Sequence, residues 1–231
     1  MIDVLKKSAT IQWAIAITAL ALQACTSVTI DEDRRITANF ADGESVVILG
    51  RRHSSDYETE PDLISCVGDT LADGELGVKV VSETAFVDSL YPWFEPRTAP
   101  MKVHDLSRLL EHKSLAQAIA NYHVRYIIWI DGKTETTSSS GSIGCSIGAG
   151  GGGCFGFGTW DKESDYKVTV WDYKNEQIMG QIRADATGTS YMPALVIPIP
   201  IIARVQANAC KGIGLQLRSF LKPELAKVAP N

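Results

Sequence analysis

The chain predicts an α/β (α+β) fold, a single mixed β-sheet of about five strands with helices packed on it. Three observations predict it. Short continuous apolar runs, at residues 45–50 and 124–130, suit strands covered on both faces. Between and after these runs, apolar residues recur at intervals of three and four, the helical period. Two stretches, 166–171 and 178–187, alternate apolar and polar residues around Lys174-Asn175-Glu176, as an antiparallel hairpin does.

Taken in order, residues 26–44 are polar and charged (Asp31, Glu32, Asp33, Arg34, Arg35) and read as a tether or a first extended segment. The domain is expected to span 45–223, with a short tail at 224–231. After the first strand, Thr59-Glu60-Pro61-Asp62 forms a helix start: Thr59 can cap, Pro61 suits the first turn, and Asp62 favours the positive end of the dipole. Leu63, Ile64, Val67 and Leu71 follow at helical spacing, with Cys66 beside them. A strand at 78–81 leads to Ser82, placed to cap a helix carrying Phe86 and Leu90 that Pro92 stops. Asp105 precedes Leu106, Leu109 and Leu110. Ser114 and Gln117 form a capping box before Ile119 and Tyr122. Asp131-Gly132 ends the next strand. A Gly-, Ser- and Thr-rich hairpin loop, 133–164, then precedes the alternating pair. Finally Val205, Ala209, Ile213, Leu217 and Leu221 form a helix stripe up to Pro223. The expected order is β-α-β-α-α-β-β-β-α, in one domain with right-handed crossovers.

The N-terminus says where the chain belongs. Lys6 and Lys7 precede an apolar run, 11–22, and Leu22-Gln23-Ala24-Cys25 ends it. This order resembles a bacterial lipoprotein signal. About 12 apolar residues fall short of the ~20 that a spanning helix needs. The resemblance implies cleavage of residues 1–24, acylation of Cys25, and anchoring through several acyl chains. Thr26, rather than Asp, after the cysteine resembles the pattern sorted to the outer membrane, facing the periplasm, with inner-membrane retention as the alternative. The formal net charge of −5 gives no basic face for nucleic acid.

Export also changes the meaning of the remaining cysteines. Cys66, Cys145, Cys154 and Cys210 are even in number in an oxidising compartment, which favours disulfides. Three pairings are open. The favoured one is Cys145–Cys154, closing a Gly-rich loop, with Cys66–Cys210 joining two helices. No close Cys-x-x-Cys pair or His at ligand spacing supports a metal site, and no cofactor is expected.

The stretch Gly150-Gly151-Gly152-Gly153-Cys154-Phe155-Gly156-Phe157-Gly158, then Asp165-Tyr166-Lys167-Val168-Thr169-Val170-Trp171-Asp172 and the return strand 177–189, resembles the periplasmic α/β domain of the curli-secretion lipoprotein family. That family is similar in fold to the N-terminal domain of TolB-type proteins and to lipoproteins that activate peptidoglycan synthases. The resemblance implies an envelope module and, for its channel-forming members, self-assembly through two long amphipathic hairpins per subunit. Here 133–164 is at most one such hairpin.

No chemistry stands out. The glycine stretch 141–158 is followed by a strand, not a helix, and lacks the Lys-Ser/Thr pair of a phosphate loop. His104, His112 and His123 form no triad or metal set, and no nucleophile elbow is present. Three candidate sites remain. Arg51, Arg52 and His53 follow the first strand, where an anion or peptide carboxylate could bind, with a solvated loop as the alternative. Ile143, Ile147, Phe155, Phe157 and Trp160 could meet a partner or a membrane surface, or pack onto the sheet. Trp93 and Phe94, in the turn with Tyr91 and Pro92, are interface anchors or a lid over the sheet edge. The functional expectation is a lipid-anchored, non-catalytic binding or assembly module of the cell envelope with a protein partner and no catalytic residues. The alternatives are a homo-oligomeric secretion-channel subunit and a periplasmic hydrolase.

Overall fold

The computed structural model describes residues 26–41, 43–51, 58–74, 77–95, 98–100, 102, 105–148 and 150–223. The signal segment, Cys25, Arg52, His53, His104 and the tail 224–231 lie outside the described residues. Six strands and five helices are described: β1 (Thr26–Arg34), β2 (Ser45–Gly50), α1 (Pro61–Ala72), β3 (Val80–Val81), α2 (Glu83–Ser89), α3 (Asp105–Leu110), α4 (Lys113–Ala120), β4 (Val124–Gly148), β5 (Gly151–Asp172), β6 (Gln177–Pro198) and α5 (Val205–Leu221). They form one mixed sheet in the order β1-β6-β5-β4-β2-β3, so the α+β expectation holds with one strand more than expected. β2 pairs in parallel with β3 and with β4. By contiguity the chain divides into two compact units, to which β1, β4, β5 and β6 each contribute.

The larger unit holds the core. Every residue of β2 is buried, as a continuous apolar run between two covered faces requires. On one face Val47, Leu49, Ile127, Trp129 and Trp171 meet Phe86 of α2, Leu106 of α3, and Leu115 and Ile119 of α4. On the other, Gly68 of α1 sits over Ile48 and Val80, while α5 brings Gly212 against Val28 and Ile30 of β1. Disulfide Cys66–Cys210 joins α1 to α5 on that face.

The extra strand is β1, within the stretch expected as a tether or first extended segment. Its alternate residues serve the sheet: Val28 and Ile30 pack on α5, and Glu32 accepts a hydrogen bond from Gln216 Nε2 at 2.7 Å. Arg34 donates to the Ser219 carbonyl and lies over the Phe220 ring at 4.6 Å, a cation–π contact. The amides of Arg35 and Ile36 donate to Met179 O, near the start of β6, so β1 runs antiparallel to that strand.

Local starts differ from expectation in two places. Glu60, not Thr59, is the N-cap of α1; the Thr59 hydroxyl instead donates to the Ile130 carbonyl. α4 begins at Lys113, one residue before Ser114, so Ser114 is helical and the capping box is absent. Among the described residues no helix is long and apolar enough to cross a membrane.

Candidate interaction surface

The smaller unit comprises Thr136–Lys162 and Thr187–Arg204 together with the N-terminal segment as far as Ser27, of which Thr26 and Ser27 are described. Its strands are improbable by composition, because Gly and Ser are poor strand formers. Cross-strand links hold them instead. Disulfide Cys145–Cys154 fixes β4 against β5. The Ser138 hydroxyl donates to Asp161, and the Thr189 hydroxyl of β6 donates to the same carboxylate at 2.6 Å. Those two hydroxyls hold the Asp161 carboxyl below its ordinary value.

Glycine is required at two facing points of the hairpin. Gly141 (φ +99°) and Gly156 (φ +148°) occupy the left-handed half of backbone space, and a Cβ on either would strike the carbonyl oxygen across the ladder, of Phe157 and Ser142 respectively. Gly156→Val is therefore expected to open the hairpin locally, at a cost of about 1–3 kcal/mol. Amide hydrogen exchange should then accelerate at 141–158 and stay unchanged in β2. Unchanged protection at 141–158 would contradict this account.

The links also fix which side chains share a face. Cys145 and Cys154 lie on one face with Ile143 and Ile147; a Cβ at Gly158 would touch Ile143, and one at Gly152 would touch Ile147. Asp161 and Thr189, and the Phe157 and Tyr191 rings with centroids 6.2 Å apart, belong to the other face. Counting by twos, Phe155, Phe157 and Leu195 share that second face with Ser138, Ser140, Ser142 and Ser146 of β4.

Past Leu195 the strand becomes irregular before it ends at Pro198. Val196 has φ +88°, and Pro198 and Pro200 have no N–H for a ladder. The chain doubles back, so that Tyr191 and Ile201 exchange backbone hydrogen bonds at 2.9 and 2.7 Å and the Ala203 amide donates to the Ser190 hydroxyl. This return buries Ser190, Ala194 and Ala203 and leaves Leu195, Val196, Ile197, Ile199 and Ile202 exposed. Leu195 is 74% exposed, Phe155 69% and Ile147 93%. No charged residue occurs at 136–160 or 187–203.

The predicted site residues fare differently. Ile147, Phe155 and Phe157 are exposed, and Trp160 is half-buried in the same unit. Phe94 is 2% exposed, edge-on to Phe86, so it belongs to the core and is no interface anchor. Trp93 is half-buried, its ring tilted against that of His112 with centroids 4.3 Å apart. Arg51 is not free to receive an anion. Its Nη1 donates to Asp131 Oδ1 at 3.1 Å, and its Nε lies 3.0 Å from Glu58, though out of line for a hydrogen bond, so two carboxylates compensate one guanidinium. The sequence marks the Leu195–Ile202 strip only by an uncharged apolar run that Pro198 and Pro200 break.

A second polar cluster, in the larger unit, is closed on itself. Tyr166 Oη donates to Glu60 Oε2 at 3.0 Å, Glu60 Oε1 accepts from the Thr134 amide at 2.6 Å, and the Thr134 hydroxyl bonds Ser164 and Tyr166 at 2.7 Å. Burial pushes the Tyr166 hydroxyl well above its ordinary value, so it stays a proton donor. Every member has a partner, as a structural network requires. The cleft of about 500 Å³ between α1, β3 and α2 is lined by Asp62, Asp69 and Glu83, but Glu83 already accepts the Gly50 amide. Among the described residues no group of three His, Cys, Asp or Glu could hold a metal ion.

The fold class is thus a mixed sheet with helices on both faces. No family model matches the chain, and no curated protein matches it. Among solved structures, two of the PelC dodecamer from Paraburkholderia phytofirmans are similar to it. One, a point variant in space group C2, is 15% identical, with 84% of this chain and 98% of that chain covered and a TM-score of 0.35. The other, in space group P6, is 16% identical, covering 85% and 98%, with a TM-score of 0.34. Likeness at that level says nothing about function, which must come from the residues themselves.

Proposed function

We propose that this chain is a lipid-anchored, non-catalytic module of the bacterial envelope, attached through acylated Cys25 and facing the periplasm from the outer membrane, where it binds or helps assemble another envelope component. One observation carries the reading: the small unit leaves Phe155, Phe157, Leu195 and most apolar residues of the 196–202 return exposed with no charge among them, a feature suited to binding. The lipobox supplies the anchor, and the polar clusters described above are closed by their own hydrogen bonds.

A self-assembling subunit is the second reading, since the same apolar residues could meet a second copy. A transmembrane barrel built from this hairpin is poorly supported, because a lipid-facing band needs apolar residues on one face of neighbouring strands. Here Phe155 and Phe157 of β5 share a face with the serines of β4, while Ile143 and Ile147 lie on the opposite face. The test is palmitate labelling of wild type and Cys25→Ser, followed by the native mass in mild detergent. Label lost with Cys25, and a mass of one chain or of one chain with a single partner, is expected. Absence of label in the wild type would overturn the anchored reading, and a large closed homo-oligomer would move the conclusion to the second reading.

A further inference from the structure

We infer that the occupant of the apolar strip is the lipid bilayer surface itself: Phe155, Phe157, Leu195 and the 196–202 return sink into the interfacial layer of the membrane that holds Cys25, giving the module a second attachment point. This rests on the anchored reading and names what its exposed surface touches.

Three observations favour a bilayer over a protein partner. The first is where the described chain begins. Thr26 directly follows the cysteine and belongs to the same compact unit as the strip. β1 runs antiparallel to β6 from the pairing at Met179, which brings Thr26 beside the part of β6 around Gly188. Leu195 lies seven residues further on, roughly 23 Å along the strand at ~3.3 Å per residue. An anchor with no intervening chain and a strip at that separation in one unit both reach a flat surface when the ribbon lies along it.

The second is charge. Within Thr136–Lys162 and Thr187–Arg204 only Asp161, Lys162 and Arg204 are charged, and Asp161 is occupied by Ser138 and Thr189. Specific protein interfaces ring their apolar centre with polar and charged groups, whereas immersion in lipid penalises every charge. The third is composition. Aromatics at 155 and 157, aliphatics at 195–197, 199, 201 and 202, and serines and glycines elsewhere suit shallow burial, with apolar groups inward and hydroxyls among the headgroups.

The experiment uses the full acylated protein with Phe155→Trp as a reporter. It is reconstituted in vesicles of phosphatidylethanolamine and phosphatidylglycerol, with and without brominated acyl chains. Insertion predicts that the added emission falls by at least about half in brominated vesicles, independent of salt, as apolar burial requires. Adding Leu195→Asp and Ile197→Asp should abolish most of that quenching while the protein stays vesicle-bound through its acyl chains. These side chains are exposed, so folding should survive; retention of both disulfides checks it.

Acylated, bound protein without quenching overturns the inference and leaves the anchor standing. Quenching without palmitate label keeps the bilayer as the occupant of the strip but overturns the anchor, and with it the strip's standing as a second attachment point. Neither label nor quenching overturns both. A native mass that falls on Leu195→Asp, with no quenching in the parent, assigns the strip to a second copy and overturns the inference.

Discussion

Replacing Cys66 and Cys210 together by serine is expected to lower the unfolding free energy by up to about 5 kcal/mol, the chain-entropy value for so long a closed loop. The residues are 144 apart, so the crosslink restrains most of the chain in its unfolded state. The folded state offers little in compensation. Cys210 is 1% exposed on the inner side of α5, and a serine there would bring a hydroxyl into largely apolar surroundings, with Thr70 Oγ1 3.8 Å from the present sulfur. Urea unfolding of the double variant should show both a lower midpoint and a steeper slope, since the freed chain exposes more surface. Cys145→Ser/Cys154→Ser opens a loop with a separation of only nine, for which the same chain-entropy account gives a loss of about 3 kcal/mol. That loss should appear as faster exchange in the hairpin. A change below about 1 kcal/mol for the Cys66/Cys210 pair would mean that packing of α1 on α5, and not the crosslink, holds that face.

Asp172→Ala is expected to cost about 3–5 kcal/mol, as for removal of one partner from a buried ion pair. The Asp172 side chain is 1% exposed and has four tasks. It accepts from Arg125 Nη2 at 2.7 Å, from the backbone amides of Lys174 and Asn175 at 2.9 and 3.0 Å, and from Asn175 Nδ2 at 2.9 Å. The carboxylate therefore closes the β5–β6 turn and neutralises a guanidinium that is itself only 13% exposed. Asp172→Asn keeps an acceptor for the turn but strands the Arg125 charge, so its cost should fall below that of alanine. Arg125→Leu combined with Asp172→Asn should recover much of it. If Asn costs far less than Ala and the double variant recovers nothing further, the turn contacts dominate and the ion pair contributes little. Chemical denaturation of the four proteins in one buffer separates these cases.

How far the sequence could be read follows from where its residues find their partners. β2, α1, the β5–β6 hairpin and α5 were legible because each carries its own period, and a continuous apolar run such as 45–50 has one place to go. β1 was harder. Its alternation of Val28, Ile30, Glu32 and Arg34 is a strand period, but half of that face is charged. The groups that satisfy those charges, Gln216 and Ser219, sit about 185 residues away on α5. The hairpin of the small unit was legible as a hairpin but not as regular strands. Gly and Ser argue against strands locally, and a disulfide, a shared aspartate and two left-handed glycines override that preference. Among candidate site residues, Ile147, Phe155 and Phe157 gave an alternation to read. Phe94 and Arg51 did not, since a buried ring and an exposed one have the same letter, and the carboxylate that meets Arg51, Asp131, lies on a neighbouring strand.

The position of β1 sets how far such a module can travel. Nineteen residues of free chain, had 26–44 been loose, would span about 65 Å when extended. Because Thr26 already belongs to a strand of the sheet, that leash has no length. An acylated Cys25 would hold the folded body against the lipid. A partner would have to come to the membrane to be met, and encounters would become a two-dimensional search among molecules confined to the same leaflet.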